Sequence, residues 1–372
     1  MERKVMIAVG GTGGHLFPAQ ALVEQLDKAA PEVDVAFVGG DLDSNPYFDA
    51  KKYPYHTVSC GSVRGRNPFR LMSEGWKVLR GIVQSMKILK RYKPDAVVGF
   101  GSYHTYPVLF AARVLGIPYL LHEQNSVPGK VIRFFSKKAK VTGTCLPLPL
   151  GALKGRTIEV GMPLREGYTL ALSSKRKARA YFNIDPECFT FLVFGGSQGA
   201  LTVNTQFPYA AIELAERTKN FQVLHFTGSD LLVAECQQLY DDLGICATVK
   251  NFEQRMDFAW IACDLVISRA GAMTIAEMIE LERPGLLIPY PYATDHHQEK
   301  NALYMQNVVG GAVTILDKDL DTQMLTETIS TLVADKQKKL IEMQKAIQQY
   351  KKNKKHRDFC SVVCEVAGSK VR

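Results

Sequence analysis

The stretch Val5-Met6-Ile7-Ala8-Val9-Gly10-Gly11-Thr12-Gly13-Gly14-His15 decides the fold. Five apolar residues without alternation read as a strand buried on both faces, and the glycines after them as a tight turn into a helix. Far down the chain, Phe191-Leu192-Val193-Phe194 runs into Gly195-Gly196-Ser197-Gln198-Gly199 and repeats the plan. Such a turn gathers backbone N–H groups at a helix N-terminus, an arrangement suited to a phosphate. Two of them predict two nucleotide-type folds facing each other across a cleft. The plainer alternative for either is an ordinary strand-to-helix turn. Neither standard phosphate-loop template fits. Leu16 stands at the third glycine of the dinucleotide fingerprint, Asp41 lies too far along for its acid, and no Gly-Lys-Ser/Thr ending is present.

Working outward, Val35–Gly39, 94–100 and 118–121 read as further strands in the first half, and 223–226, 265–268 and 285–289 in the second. Helical patterns fill the gaps, the signature of parallel sheets covered on both faces. The expected organisation is α/β: residues 1–163 and 164–349 as two Rossmann-like parallel-sheet domains, divided near Val160-Gly161-Met162-Pro163. A last helix around 358–366 is expected to return, with about 350–372, to the first domain. In such sheets ligands bind beyond the carboxyl ends of the strands.

Charge is layered along the chain. Residues 1–163 carry 22 basic against 12 acidic side chains, 164–345 carry 17 against 23, and 346–372 carry 7 against 2. Residues 64–93 hold nine of the basic groups, Arg66, Arg70, Lys77 and Arg80 among them, against Glu74 alone. Phe69 and Trp76 stand in the same segment with other apolar residues at steps of three and four, which predicts an amphipathic helix. Three readings are open for it: an interfacial helix on an anionic membrane, a domain helix with a solvated basic face, or a nucleic-acid surface. No recognition motif accompanies the charge, so nucleic acid is not expected. Eight cysteines without a C-x-x-C pair point to reduced thiols, and no apolar run reaches membrane-spanning length. Val5–Val9 runs straight into the glycine turn, which argues against a signal peptide.

Polar groups gather after the strands. Arg269-Ala270-Gly271-Ala272-Met273-Thr274-Ile275-Ala276-Glu277 reads as a small-residue turn opening a helix, suited to a diphosphate. Glu277 would then reach a ribose diol, or merely complement the helix dipole. Asp295-His296-His297-Gln298 opens another helix, and its adjacent histidines face apart, so a metal is not expected. Gly101-Ser102-Tyr103-His104 and His122-Glu123-Gln124-Asn125 end strands in the first half. His122 and Glu123 are candidates for chemistry, or strand-end polar residues tied to the backbone.

Gly10–His15 followed by Phe17-Pro18, His122–Asn125, Gly195–Ala200 and Ala270–Glu277, in that order, resemble the MurG family of peptidoglycan glycosyltransferases. The resemblance spans nearly the whole chain and implies a GT-B architecture. It implies transfer of GlcNAc from UDP-GlcNAc to the muramoyl 4-hydroxyl of lipid I, giving lipid II at the cytoplasmic face of the inner membrane. It implies no cofactor and no tightly bound metal. Thr12, Gly13 and Gly14 match the turn that meets donor and acceptor diphosphates, Asn125 the residue reaching the donor sugar, and Arg165 an arginine on the nucleotide side. Ser197 matches a residue near the donor phosphate, Ala272 to Glu277 the helix start that holds diphosphate and ribose, and Gln298 the reader of sugar hydroxyls.

Departures from the family pattern are Met162 for Asn, His297 for Gln, and Glu253 where an apolar residue frames the uracil. Residues 101–107 are bulkier than the family's glycine-rich version. The expected mechanism is an inverting single displacement with His15 as base, Glu123 and His122 as rivals or orienting groups, and Tyr103, His15 and Glu123 on the acceptor side. His15 could instead cap a backbone carbonyl at the helix start. A UDP-sugar epimerase of the same fold and a non-catalytic, membrane-docked UDP-sugar sensor are the alternatives.

Overall fold

A computed structural model describes residues 3–62, 68–169, 174–196, 199–217 and 220–369. The chain forms two compact units, Met1–Glu166 with His356–Arg372, and Gly167–Lys355.

The first unit is built on seven strands: β1 (Arg3–Ala8), β2 (Val33–Gly39), β3 (Tyr55–Thr57), β4 (Ala96–Gly99), β5 (Tyr119–Glu123), β6 (Val141–Thr144) and β7 (Thr157–Glu159). They are all parallel, in the order β3-β2-β1-β4-β5-β6-β7. Ile7 of β1 sits between Phe37 of β2 and Val98 of β4. Side chains alternate across a strand, so Val5, Ile7 and Val9 join one core with Leu22 and Phe37, while Met6 and Ala8 join another with Leu89, Val108 and Phe135. Both faces are dry, which is why the β1 sequence shows no polar alternation. The strand order reverses direction at β1 and β4, and the crevice beyond their carboxyl ends is the topological switch point where α/β sheets bind ligands.

The final helix, Phe359–Ala367, belongs to this unit. Asp358 caps it by accepting from the Ser361 N–H at 2.8 Å, and Phe359, Val363 and Cys364 enter the core of Val5 and Ile7. Cys360 is buried beside Cys364 on the same helix. The crossing into this helix lies after Lys355, where the sequence placed it near 350. Lys351 and Lys354 still bond to Glu280 and Tyr304 of the second unit.

The second unit repeats the architecture with β8 (Phe189–Phe194), β9 (Phe221–Phe226), β10 (Ala247–Lys250), β11 (Leu265–Ser268), β12 (Gly285–Leu287) and β13 (Ala312–Thr314). All are parallel, in the order β10-β9-β8-β11-β12-β13. Phe191 and Val193 pack with Phe207 and with Leu325 of the helical stretch Thr322–Asn353, which is broken at residues 334–337. Among the described residues no helix is long and apolar enough to cross a membrane.

Candidate active site

In the first unit, the turn after β1 depends on Gly11, whose φ of +96° suits a residue without Cβ. Asn45 locks it by donating from Nδ2 to the Gly11 carbonyl at 2.7 Å. Thr12 then takes the extended conformation of a helix N-cap, and its carbonyl accepts from the N–H groups of His15 and Leu16. Its hydroxyl makes no cap bond, so the N–H groups of Gly13 and Gly14 are open to an anion. The sequence reading missed Asn45; its signal is an Asn-Pro step in a turn-rich loop.

His15 lies half-buried in the first turn of the helix Gly13–Ala29. A Cβ on Gly101, just after β4, would stand 3.8 Å from its ring. His122 and Glu123 are not beyond β5 but are its last two residues, and both point into the protein. The His122 ring is fully buried between Phe100 and Phe359, at 4.9 and 4.7 Å between centroids. Its Nε2 lies 3.2 Å from the Cys145 thiol, and its Nδ1 has no partner among the described residues. Burial, with a smaller contribution from His15, pushes its pKa down to about 3. An imidazole that weakly basic is poorly matched to taking a proton near pH 7. The candidate base His122 is therefore a core residue.

Glu123 is 2% exposed. Oε1 accepts from the Asn125 N–H at 3.0 Å and from Asn125 Nδ2 at 3.3 Å, and Oε2 accepts from the Gly129 N–H at 2.8 Å. Both oxygens are thus engaged in folding the 124–129 loop and presenting Asn125. This is the backbone-tied alternative, and it removes Glu123 from direct contact as base. Burial raises its pKa, and the donors offset that only in part. Tyr103 is exposed, with its ring against His104 at 3.9 Å. The Arg165 guanidinium lies 5.1 Å from the Phe17 ring, and Met162 Sδ touches Cys145 Sγ at 3.9 Å.

In the second unit, Gly199 closes its turn with φ +71°, and a Cβ there would meet the Thr227 carbonyl at 2.4 Å. Ser197 lies outside the described residues. The helix Ala272–Glu280 starts from Gly271 with no side-chain cap, again leaving N–H donors at its mouth. Ala272, Thr274, Ile275 and Glu277 are buried, while Met273 and Ala276 alternate with them along the same start. Glu277 Oε2 accepts from the indole of fully buried Trp260 at 3.1 Å. Arg269 bonds to the carbonyls of Ile288 and Pro289 and pairs with Asp317. Asn301 donates to the Ala270 carbonyl at 3.1 Å. Trp260, Arg269 and Asn301 hold the turn; Arg269 opens the quoted stretch 269–277, but nothing in its local pattern marks its supporting role.

Gln298 Oε1 accepts from the Tyr290 N–H at 3.0 Å, which commits its carbonyl and leaves its amide NH2 as the outward donor. His297 Nδ1 lies 2.8 Å from the Thr294 carbonyl, and no group of three His, Cys, Asp or Glu converges among the described residues. Glu253 is occupied as well. It accepts from Lys250 Nζ at 2.7 Å, from the Arg255 N–H at 2.8 Å and from Tyr181 at 3.3 Å. Its carboxylate is thus committed to Lys250, Arg255 and Tyr181.

The helix Pro68–Tyr92 carries two apolar faces. Gly81, Ser85 and Leu89 face inward, with Gly81 packed so closely that a Cβ would meet the Ser59 carbonyl at 1.9 Å. Phe69, Met72, Trp76, Leu79 and Val83 face outward at steps of three and four, Phe69 78% and Trp76 71% exposed. Arg70, Lys77 and Arg80 are exposed beside them; Arg66 lies outside the described residues.

Residues 5–144 match the glycosyltransferase family 28 N-terminal domain, and residues 190–359 its C-terminal domain. The chain is 43% identical, over 99% of its length and 96% of the relative's, to the UDP-N-acetylglucosamine–N-acetylmuramyl-(pentapeptide) pyrophosphoryl-undecaprenol N-acetylglucosamine transferase of Protochlamydia amoebophila. The crystal structure of Acinetobacter baumannii MurG superposes with a TM-score of 0.74 at 27% identity, covering 98% of this chain and 99% of that one. The chain belongs to the MurG family of glycosyltransferases. The transferase of the same description from Chlamydia felis is 37% identical over 97% of this chain and 98% of its own length. Within the MurG family frame, the two parallel-sheet units are the family 28 domains, and the glycine turns after β1 and β8 each lie within one of them.

Proposed function

We propose that this MurG-family enzyme transfers GlcNAc from UDP-GlcNAc to the muramoyl 4-hydroxyl of lipid I, with inversion, giving lipid II for peptidoglycan synthesis. The observation that carries the reading in the structure is the edge of the first sheet. His15 after β1, the 101–105 loop after β4 and Asn125 after β5 all follow the carboxyl ends of neighbouring strands. His15 is the base: it takes the 4-hydroxyl proton as that oxygen attacks the anomeric carbon. The bond from that carbon to the diphosphate breaks on the opposite face, and UDP leaves with the electron pair. Glu123 is a positioning residue that acts through Asn125.

Each unit offers its own preorganised donors for diphosphate charge: backbone N–H groups at Thr12, Gly13 and Gly14 with Arg165 in the first, and the start of the helix Ala272–Glu280 in the second. Glu277, with one oxygen held by Trp260, accepts from the ribose diol, and the Gln298 amide donates to sugar hydroxyls. The outward face of the helix Pro68–Tyr92 fits an anionic leaflet: Phe69 and Trp76 enter the interface, and Arg70, Lys77 and Arg80 meet lipid phosphates. This reading places the enzyme peripherally, on the cytoplasmic face of the inner membrane where the lipid acceptor is presented.

The test is transfer of labelled GlcNAc from UDP-GlcNAc to a short-chain lipid I analogue by the purified protein. A β-1,4-linked product is expected. Absence of product alongside intact UDP-GlcNAc binding would overturn the acceptor assignment.

A further inference from the structure

His122 and Cys145 form a pair that the transfer chemistry does not use. His122 lies opposite Gly143 in the β5–β6 register. Cys145 follows β6, with its N–H donating to the Glu123 carbonyl at 3.0 Å. Met162 stands just beyond the end of β7. The three side chains meet at this edge: Cys145 Sγ lies 3.2 Å from His122 Nε2 and 3.9 Å from Met162 Sδ. The only polar contact of the buried His122 ring among the described residues is with this sulfur. The inner wall is apolar, for a Cβ on Gly143 would come within 2.9 Å of Phe359 and Val160. The outer side is formed by Cys145 and Met162, both only partly buried.

The chemistry of this set is specific. Neutral imidazole is the form in which histidine binds metals, and burial keeps the His122 ring neutral. Cysteine and methionine sulfurs select soft ions such as Cu(I). Met162, a departure from the family's asparagine, makes the second sulfur this chain's own. With metal bonds of about 2.0 Å to nitrogen and about 2.3 Å to sulfur, the two separations subtend roughly 95° and 115° at one ion. Those angles suit a three-coordinate ion. One thiolate balances one positive charge, whereas a divalent ion would leave a buried charge uncompensated. Glu123 cannot supply the second negative charge, since both its oxygens are committed to the 124–129 loop. We propose that His122, Cys145 and Met162 form a binding site for one soft monovalent cation of the Cu(I) class. The ion replaces the thiol proton, which leaves to solvent, and is held by Sγ, Nε2 and Sδ without change of oxidation state. The inference does not depend on the transferase reading.

The test is titration of the purified full chain with Cu(I), kept reduced under argon, against a chromophoric Cu(I) chelator. The wild type is expected to withdraw one equivalent, and Cys145→Ser to lose it. Met162→Leu keeps the apolar bulk and is expected to weaken binding about tenfold or more, since even groups that only support a metal ligand cost about 10–100-fold when lost. X-ray absorption at the copper edge is expected to show one nitrogen and two sulfur neighbours. The rivals are the other thiols, above all the buried Cys360 and Cys364 on one helix. An unchanged equivalent in Cys145→Ser, or its loss in Cys364→Ala, puts the ion on those thiols and overturns the proposal. Wild-type affinity in Met162→Leu, a spectrum of sulfur alone, or no equivalent withdrawn by the wild type overturns it as well. If Cys145→Ser does not fold, Met162→Leu and the spectrum still decide.

Discussion

Trp260 donates its indole N–H to Glu277 across 3.1 Å, and the indole is fully buried beneath the start of the helix Ala272–Glu280. The bond fixes one carboxylate oxygen of Glu277. Trp260→Phe keeps an aromatic ring and removes the donor, leaving a buried acceptor short by about 1–3 kcal/mol. The UDP-GlcNAc KM is expected to rise about tenfold, the equivalent of roughly 1.4 kcal/mol, with a lower Tm. A Tm loss with unchanged donor KM would show that Glu277 does not meet the donor.

Two buried carboxylates should respond to pH in opposite senses. Burial raises Glu123 above the ordinary 4.5, so the fold binds its proton more tightly than the unfolded chain does. Its contribution to stability therefore falls as pH climbs from 4.5 through the folded value. Burial also pushes Glu253 up, but Lys250 and the Arg255 N–H outweigh it and hold the carboxyl below 4.5. Its contribution is present above 4.5 and is lost as pH falls through the folded value. As pH rises above 4.5, the Tm difference of Glu123→Gln from wild type should grow more positive; as pH falls below 4.5, the destabilisation caused by Glu253→Gln should shrink. Parallel slopes in thermal melts would contradict the assigned shifts.

What was legible in the sequence follows the strength of the local signal. β1, β8 and β11 are apolar on both faces and stop at glycine or small-residue turns, so strand, turn and helix start all read directly. The three- and four-residue strands β3, β7, β10 and β13 are too short and too polar to show a pattern, and tertiary pairing makes them. The polar strand end His122–Asn125 was visible as a feature, but its inward direction was not. That depends on Phe359 and Gly129 arriving from other parts of the chain. Likewise the basic helix showed one apolar stripe in sequence, and only its packing under Ser59 divides this into an inner and an outer face.

The two histidines differ in burial, and mutation should separate them. His15 is half-buried at the sheet edge, whereas His122 is sealed between Phe100 and Phe359. His15→Ala is expected to lower kcat by about 10²–10⁴, the usual contribution of a general base, with little change in UDP-GlcNAc binding. His122→Phe fills the same aromatic layer and should keep kcat within about tenfold of wild type, because a base that weak does little near neutral pH. Steady-state kinetics on both variants decide the matter. Near-normal turnover by His15→Ala would remove it as the base.

The exposed face of the helix Pro68–Tyr92 contributes little to the fold, since Phe69 and Trp76 are mostly in water. Exchanging both for serine should therefore leave Tm nearly unchanged while weakening vesicle binding. The basic flank acts separately, each charge near an anionic surface adding about 1 kcal/mol. Neutralising Arg70, Lys77 and Arg80 together should reduce affinity for anionic vesicles on the order of a hundredfold. Binding to neutral vesicles should hardly move. Flotation with anionic and neutral liposomes at fixed ionic strength reads both effects. Equal flotation of the wild type and the charge variant on anionic vesicles would reassign the basic face to plain solvation, and the apolar stripe would then need another partner.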